Sequence, residues 1–312
     1  MTKKLYLKTW LCRETPPEAV EEGKLADLDA RSIKIEELLI ANGFEATHVV
    51  TAISGEELII RMVEIPAMPK EELPEAVKWE AQEQLPMSLE NVVLDYEIIN
   101  RKENGSYEMM LVAVDRGIID DYLELFEKLD LKVLVIEIEP LALIRALEHL
   151  YPGQTLAIID LGAATADISI CSQDQLLFTR TISVGGNDIT EEVADNNELE
   201  LEEAEEYKQN HNLFEEDLGL IIRNLTTTIY RSLDYFQVEF KSYNIEQVVL
   251  TEGGSRLIGF DEHLSEEFGI EVSKLELLDS LRVKTENSRG LAVNQLLGVS
   301  VGLALRGVIG DD

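Results

Sequence analysis

The sequence predicts an α/β protein with chain enough for two domains, and a small α+β subdomain within its first half. Three observations predict it. Apolar runs of strand length, at 133–138, 156–159 and 248–250, alternate with long stretches of helical spacing. Residues 155–170 read as an apolar strand, a glycine-containing turn and a second, alternating strand, which is a β-hairpin pattern. Between 66 and 130 the order helix, strand, strand, helix marks a separate small unit. With 312 residues and 45% hydrophobic content, the chain is long enough for two domains.

The first 65 residues read as strand, loop, helix, strand, strand. Pro16-Pro17 breaks the first strand. Residues 29–42 have helical spacing with Gly43 as the stop, and 47–52 pairs with 58–63 across Ser54-Gly55. In the inserted unit, 70–84 is an amphipathic helix ending at Pro86. Residues 92–100 and 107–114 alternate about a turn at Asn104-Gly105, and 117–129 is another amphipathic helix. A buried strand at 132–138 and a helix at 140–150 follow. In the second half, 195–209 is a Glu-rich helix. The long helix at 219–243 carries Leu225, Ile229, Leu233 and Phe236 on one stripe. A short strand at 248–250 runs into Thr251-Glu252-Gly253-Gly254-Ser255. Residues 293–306 form a terminal helix, where Gly298 and Gly302 allow close packing on a sheet.

Composition narrows the function. The formal charge is −34, from 61 acidic and 27 basic residues. Such a field disfavours nucleic acid and bare anionic membrane. It serves solubility, and it also suits a basic partner segment. No apolar run approaches the ~18 residues of a membrane span. Cys12 and Cys171 are isolated thiols that fit a reducing cytoplasm. His48, His149, His211 and His263 are scattered without ligand spacing, and no Walker loop, zinc cluster, Rossmann fingerprint or nucleophile elbow is visible.

The hairpin carries the chemistry. Gly162 lets backbone approach a ligand closely. Successive N–H groups in such a turn can form an anion-binding concavity. Asp160, at the strand end, is placed to hold a hydrated Mg²⁺ against phosphates. The alternative is an ordinary hairpin with a polar turn.

This hairpin also resembles the second phosphate hairpin of the actin-like ATPases. Further pieces follow in order: Ile65-Pro66-Ala67-Met68-Pro69, Glu80-Ala81 with Leu85-Pro86, Phe178-Thr179-Arg180 with Gly185-Gly186-Asn187-Asp188-Ile189-Thr190, and Leu303-Ala304-Leu305-Arg306-Gly307. Together they resemble the PilM family of type IV pilus assembly proteins along nearly the whole chain. The resemblance implies an actin-like ATPase (ribonuclease H-like) two-domain fold. Residues 1–65 would be the first subdomain, completed by 131–152 and 292–312. Residues 66–130 would be the insert, and 153–291 the second domain, with 191–244 as its helical subdomain.

The same resemblance implies ATP and Mg²⁺ as cofactors. Asp160, Gly162, Ala163 and Thr165 would meet the phosphates and the metal, with Asp160 reaching Mg²⁺ through water. Glu139 and Asp160 would hold the catalytic positions. Glu139-Pro140 starts the crossover helix, where Glu139 either orients water or metal or simply caps the helix. Gly185-Gly186 is either a backbone approach near the phosphates or a tight turn into the Asp188 helix. Gly253, Gly254 and Ser255 resemble the adenosine loop. Glu205 and Lys208 share a helix face. In relatives that pattern meets ribose and base, while unaided it reads as a solvated ion pair.

One departure stands at the start. Relatives open with a first phosphate hairpin, whereas this chain begins at what resembles their third strand, 5–11, followed by the Pro-rich turn 16–23. The sequence therefore reads as N-terminally truncated, and losing one phosphate loop argues against hydrolysis and tight ATP binding.

The function implied is a cytoplasmic component of the pilus inner-membrane platform, peripheral at the membrane's inner face through partners. It would bind the short cytoplasmic tail of a PilN-like membrane protein near residues 44–66 and 66–130, alongside other platform proteins. There would be no nucleic acid and no direct membrane insertion. The alternatives are an actin-like ATPase or small-molecule kinase, and an FtsA-like filament protein. The last would need a basic amphipathic tail, and this chain ends Gly310-Asp311-Asp312.

Overall fold

A computed structural model describes residues 6–7, 11–12, 20–21, 24–25, 27–41, 43–56, 58–85, 88–214, 219–280, 282–283 and 291–306. By compactness the chain divides into two units, Met1–Arg13 with Ile138–Asp312, and Glu14–Glu137. Of the predicted first strand, 5–11, the described residues are Tyr6–Leu7, which form β1, and Leu11, which is in no strand. Pro16-Pro17, most of the 16–23 turn, Pro86, Gly307 and Gly310–Asp312 lie outside the described residues.

In the unit Glu14–Glu137, β2 (Val20–Glu21) and β3 (Lys24–Leu25) pair antiparallel. Helix α1 (Leu28–Ala41) starts where the Asp27 carboxylate accepts the Ala30 N–H at 2.9 Å, a side-chain cap on an otherwise orphan donor. It ends at Gly43, whose φ of +65° turns the chain. Strands β4 (His48–Ile53) and β5 (Leu58–Ile65) form as expected, but they do not pair with each other.

Helix α2 (Leu73–Gln84) follows a 3-10 turn at Lys70–Glu72. Its buried Leu73, Val77 and Ala81 recur every four residues and pack on Val63, Ile65, Tyr107, Met109 and Leu111. The predicted hairpin is β6 (Val92–Arg101) with β7 (Tyr107–Asp115), and Gly105 takes φ +86° in the turn. β5 pairs with β7 over eight positions, giving a sheet of order β5-β7-β6. Burial explains the corrected pairing. Val63 and Ile65 share the core under α2 with Met109 and Leu111, so β5 joins that sheet whatever the turn at Ser54-Gly55 suggests.

Helix α3 (Arg116–Glu127) is capped by Asp115, whose carboxylate accepts the Gly117 N–H at 2.8 Å. β4 pairs instead with β8 (Lys132–Ile138). The expectation of a buried strand here is corrected as well. Only Glu137 and Ile138 of β8 are buried, and Leu134 is 56% exposed.

The other unit is built on a five-stranded sheet. Helix α4 (Glu139–Leu147) leads into β9 (Thr155–Leu161), β10 (Ala166–Ser172) and β11 (Gln175–Ile182). Helices α5 (Gly186–Asn197), α6 (Leu201–Asn210) and α7 (Leu220–Glu239) follow, then β12 (Gln247–Thr251), α8 (Phe260–Phe268) and β13 (Val272–Lys274). The order is β11-β10-β9-β12-β13. The hairpin is antiparallel and β12 runs parallel to β9. All seven residues of β9 are buried, as a central strand covered on both faces requires. One face carries Ala157, Ile159, Ile168 and Ile170 against Leu225, Ile229, Leu233 and Phe236 of α7, the stripe read from the sequence.

Two helical readings are corrected. The predicted helix at 195–209 is two helices, because Glu198 takes φ +54° and closes α5 before α6 begins. After α9 (Leu277–Ser280) and β14 (Arg282–Val283), which pairs parallel to β1, the terminal segment is a 3-10 helix at Leu291–Leu297 and then α10 (Gly298–Leu305). Gly298 and Gly302 do pack closely, but on helix α4 and not on a sheet. A Cβ at Gly302 would overlap the Ala142 carbonyl, and one at Gly298 would meet Leu143. Among the described residues no helix is long and apolar enough to cross a membrane.

Candidate functional site

Parallel pairing brings the carboxyl ends of β9 and β12 side by side, the part of an open sheet where ligands are commonly held. Thr251 pairs with Asp160, and across the hairpin Asp160 pairs with Asp167. The two loops leaving these ends are the turn 162–165 and the Gly253-Gly254-Ser255 segment. The second packs on the end of β9, since a Cβ at Gly254 would overlap the Leu161 side chain. Ala163, Ala164 and Gly253 are exposed, and a Cβ at Gly253 would meet nothing within 4 Å. Ser255 is fully buried and its hydroxyl donates to the Glu252 carbonyl at 2.6 Å, so it shapes the loop from beneath.

Helix α5 is seated on the hairpin. The Gly186 and Asn187 N–H groups donate to the Gly162 and Ala163 carbonyls, each at 2.9 Å. The Gly185 N–H donates to the Asp188 carboxylate at 2.8 Å. A Cβ at Gly185 would overlap the Ala163 carbonyl. The glycine pair thus makes a tight turn into the Asp188 helix. Its N–H groups are committed to closing that turn against the hairpin.

Lys208 and Glu205 do more than pair on one helix face. Lys208 is 7% exposed. Its ammonium donates to the Gly186 carbonyl at 2.9 Å and the Thr190 hydroxyl at 2.7 Å, and meets the Glu205 carboxylate at 2.6 Å. Thr190 in turn donates to Glu205 at 2.6 Å. Burial pushes the Glu205 carboxyl up, but hydrogen bonds from Lys208, Thr190 and Gln209 outweigh it and leave it lowered. The pair thus ties α6 to the first turn of α5, and through Gly186 to the hairpin.

Asp160 is the electrostatic centre. It is 7% exposed, and its Oδ1 has no hydrogen-bond partner. Burial pushes its pKa well up, and the charges of Glu252, Glu139 and Asp167 add to this. The Thr251 hydroxyl opposes the shift but completes no hydrogen bond. Asp167 is also raised by burial, against hydrogen bonds from Thr181 and Thr165. Glu139 stands in the first turn of α4, where the helix dipole favours a carboxylate, and its charge acts on both Asp160 and Glu252. The two readings of Glu139, helix start and site carboxylate, are thus compatible.

These residues fit a hydrated Mg²⁺. Carboxylate oxygens are the donors this hard cation takes, and it usually keeps several waters. The orphaned Asp160 oxygen is buried where a coordinated water would supply its missing donor. Among the described residues no group of three acidic, histidine or cysteine side chains that could hold a metal ion is found.

Sequence reasoning missed Glu252. Burial and the Glu139 charge push its carboxyl up to about 7. Its backbone stands at φ 59°, ψ −168°, a region almost reserved for glycine. Its position before Gly253-Gly254 was visible, but its backbone angles and its neighbours were not.

Comparison with known proteins agrees with this architecture. The model of the family described as "Type IV pilus assembly protein PilM" matches residues 2–308. A chain of a solved PilM–PilN type IV pilus biogenesis complex is similar at 29% identity and TM-score 0.85, over 95% of this chain and 90% of that one. The ethanolamine utilization protein EutJ from Carboxydothermus hydrogenoformans matches at 19% identity and TM-score 0.53, over 93% of this chain and 78% of its own. MreB5 of Spiroplasma citri bound to ADP matches at 13% identity and TM-score 0.54, over the same shares. The last two establish the fold alone, and that fold is the actin-like ATPase fold.

Proposed function

The chain belongs to the family of the type IV pilus assembly protein PilM, and from that premise we propose that it is the pilus-platform component that grips the cytoplasmic tail of a PilN-like membrane protein. The observation that carries this reading is the likeness, at TM-score 0.85 over 95% of the chain, to a chain of a PilM–PilN complex. It would act in the cytoplasm, held at the inner face of the membrane by this partner and other platform proteins.

The tail would run along residues near 44–66 and 66–130 as an extended segment, read through backbone hydrogen bonds and pockets for alternate side chains. Within the unit Glu14–Glu137 an open recess of ≈ 440 Å³ is lined by Leu123, Glu127, Asp130, Leu131, Lys132 and Val133. The Lys132 N–H donates to the Thr47 carbonyl at 3.0 Å, so the recess adjoins that stretch. Its lining joins three apolar residues to two carboxylates and one lysine, a mixture that suits a tail carrying both apolar and charged residues.

ATP would act as a conformational ligand, shifting populations through unequal affinity for two states. The exposed turn 162–165 would take the phosphates, with Asp160 and Glu139 orienting the water shell of Mg²⁺. When bound, that ion supplies the positive charge that offsets the phosphates. Gly253, Gly254 and Ser255 would form the adenosine loop. Glu205 and Lys208, which hold the Gly185-Gly186 turn against the hairpin, would lie toward the ribose and base.

The test is co-purification with a full-length PilN-like protein from the same organism, intact or lacking its cytoplasmic tail. The chain should follow the intact protein through detergent extraction and be lost with the tail. Failure to follow the intact protein would overturn the reading.

A further inference from the structure

Strand β11 and helix α7 form a surface with no role in the nucleotide site. β11 (Gln175–Ile182) is an edge of the five-stranded sheet, and among the described residues no strand pairs with its outer side. An edge strand presents unpaired N–H and C=O groups, and proteins commonly blunt such edges with short strands, lysines or prolines. The opposite edge of this sheet is blunted in that way, since β13 has three residues and ends at Lys274. β11 is not. It runs for eight residues, Gln-Leu-Leu-Phe-Thr-Arg-Thr-Ile, without proline or lysine and with Arg180 as its one charge. Residues 178–182 are all half-buried or exposed, on both faces of the strand.

Helix α7 lies along this open part. The Tyr235 ring stands 5.9 Å from the Phe178 ring, and the Arg180 guanidinium donates to the Ser232 hydroxyl at 3.2 Å. The outer face of α7 carries Arg231, Tyr235 and Val238, spaced by four and three residues and all exposed. Arg231 makes no hydrogen bond or ion pair among the described residues, although the chain carries 61 acidic residues to 27 basic ones. Together β11 and α7 hold Arg180, Arg223 and Arg231 against Asp234 and Glu239, so the balance of charge reverses here. Tyrosine and arginine are the residues that anchor protein interfaces, and the planar arginine fork matches a carboxylate.

We propose that the outer side of β11, with Arg180, Arg231 and Tyr235 beside it, docks an extended acidic segment of a protein partner, which adds to the sheet as a further strand. Backbone pairing along 178–182 supplies the affinity. Alternate side chains of the added strand face α7, where carboxylates meet the arginines and apolar atoms meet Tyr235. The chain's overall negative field opposes an acidic partner at long range, but it is screened beyond about 8 Å at physiological salt. Local pairing with the arginines therefore decides where such a segment binds. The inference rests on neither the tail reading nor the nucleotide reading.

The probe is a fluorescent octapeptide that alternates Glu with Thr, titrated into the full chain by anisotropy. One control peptide replaces every Glu by Gln, and another places proline at the centre. The Glu peptide should bind saturably, and the Gln version about tenfold more weakly, the loss of roughly one charge-assisted hydrogen bond. The proline version should not bind. Arg231→Gln and Tyr235→Ala, both on an exposed helix face, should keep the melting temperature and weaken the Glu peptide to a similar degree. Hydrogen exchange read residue by residue should show alternate amides of β11 slowed by the Glu peptide. Equal binding of the Gln version, wild-type binding in both variants, binding that leaves β11 exchange unchanged, or no binding at all would overturn the inference. Protection of every β11 amide without peptide would overturn it too. If that protection is lost on dilution, a second copy of the chain occupies the edge, and if it persists, the chain covers the edge itself.

Discussion

Lys208 shows how much a single residue can organise. Its ammonium spends its donors on Gly186, Thr190 and Glu205, and each acceptor belongs to a different part of the α5–α6 corner. Lys208→Met keeps much of the volume and removes those donors. Leaving buried acceptors unmade costs about 1–3 kcal/mol, so urea unfolding should show a loss of that order, with a weaker fit for a Mg·ATP analogue. The Glu205–Lys208 spacing was legible in the sequence as one helix face. That their partners would be Thr190 and Gly186 was not, because those contacts cross between helices whose boundary was itself hidden. Asp160 and Gly162 were legible because a strand, a turn and a strand fix where the turn residues lie. Glu252 did not stand out because neither its backbone angles nor its spatial neighbours are written in the sequence. The two thiols separate in the same way. Burial pushes Cys171 up to about 12 while Cys12 is exposed, and only thiolates react readily. Native alkylation followed by peptide mass mapping should label Cys12 and leave Cys171 untouched until denaturant is added.

At the scale of elements, the periodic helices and alternating strands were read nearly to their ends, and the joins were not. Turn residues at Ser54-Gly55 announce a reversal but not which sheet each strand enters. Side-chain burial under α2 decides that for β5. The Glu-rich run across α5 and α6 gives no glycine or proline at its break, so the left-handed Glu198 was invisible. Gly298 and Gly302 were rightly read as close packing, with the wrong partner. The α4–α10 contact yields a test. Alanine would favour an isolated helix over glycine by ~1 kcal/mol, yet at position 302 its Cβ overlaps the Ala142 carbonyl. Overpacking of this kind costs about 1–3 kcal/mol. Gly302→Ala should therefore lower the thermal midpoint, and a rise would refute the packing account. In the main core, Phe236→Ala should cost about 3–5 kcal/mol by denaturant titration, as expected for deleting a buried ring.

For the whole molecule, the charge of −34 sets the terms of partnership. A field of that sign draws a basic tail and repels anions, so phosphate binding depends on local cations and backbone. If the partner tail carries Lys or Arg, its association should slow and its affinity fall as salt rises from low to physiological strength, with dissociation changing less. Family membership follows from the match over residues 2–308, and short motifs scattered in the right order had already pointed there. The most direct measurement is a titration of a labelled PilN-like tail peptide into the full chain by fluorescence anisotropy, without nucleotide and at saturating Mg·ATP. The account predicts saturable binding at micromolar affinity or better, shifted several-fold by Mg·ATP. Absence of binding under both conditions would contradict it.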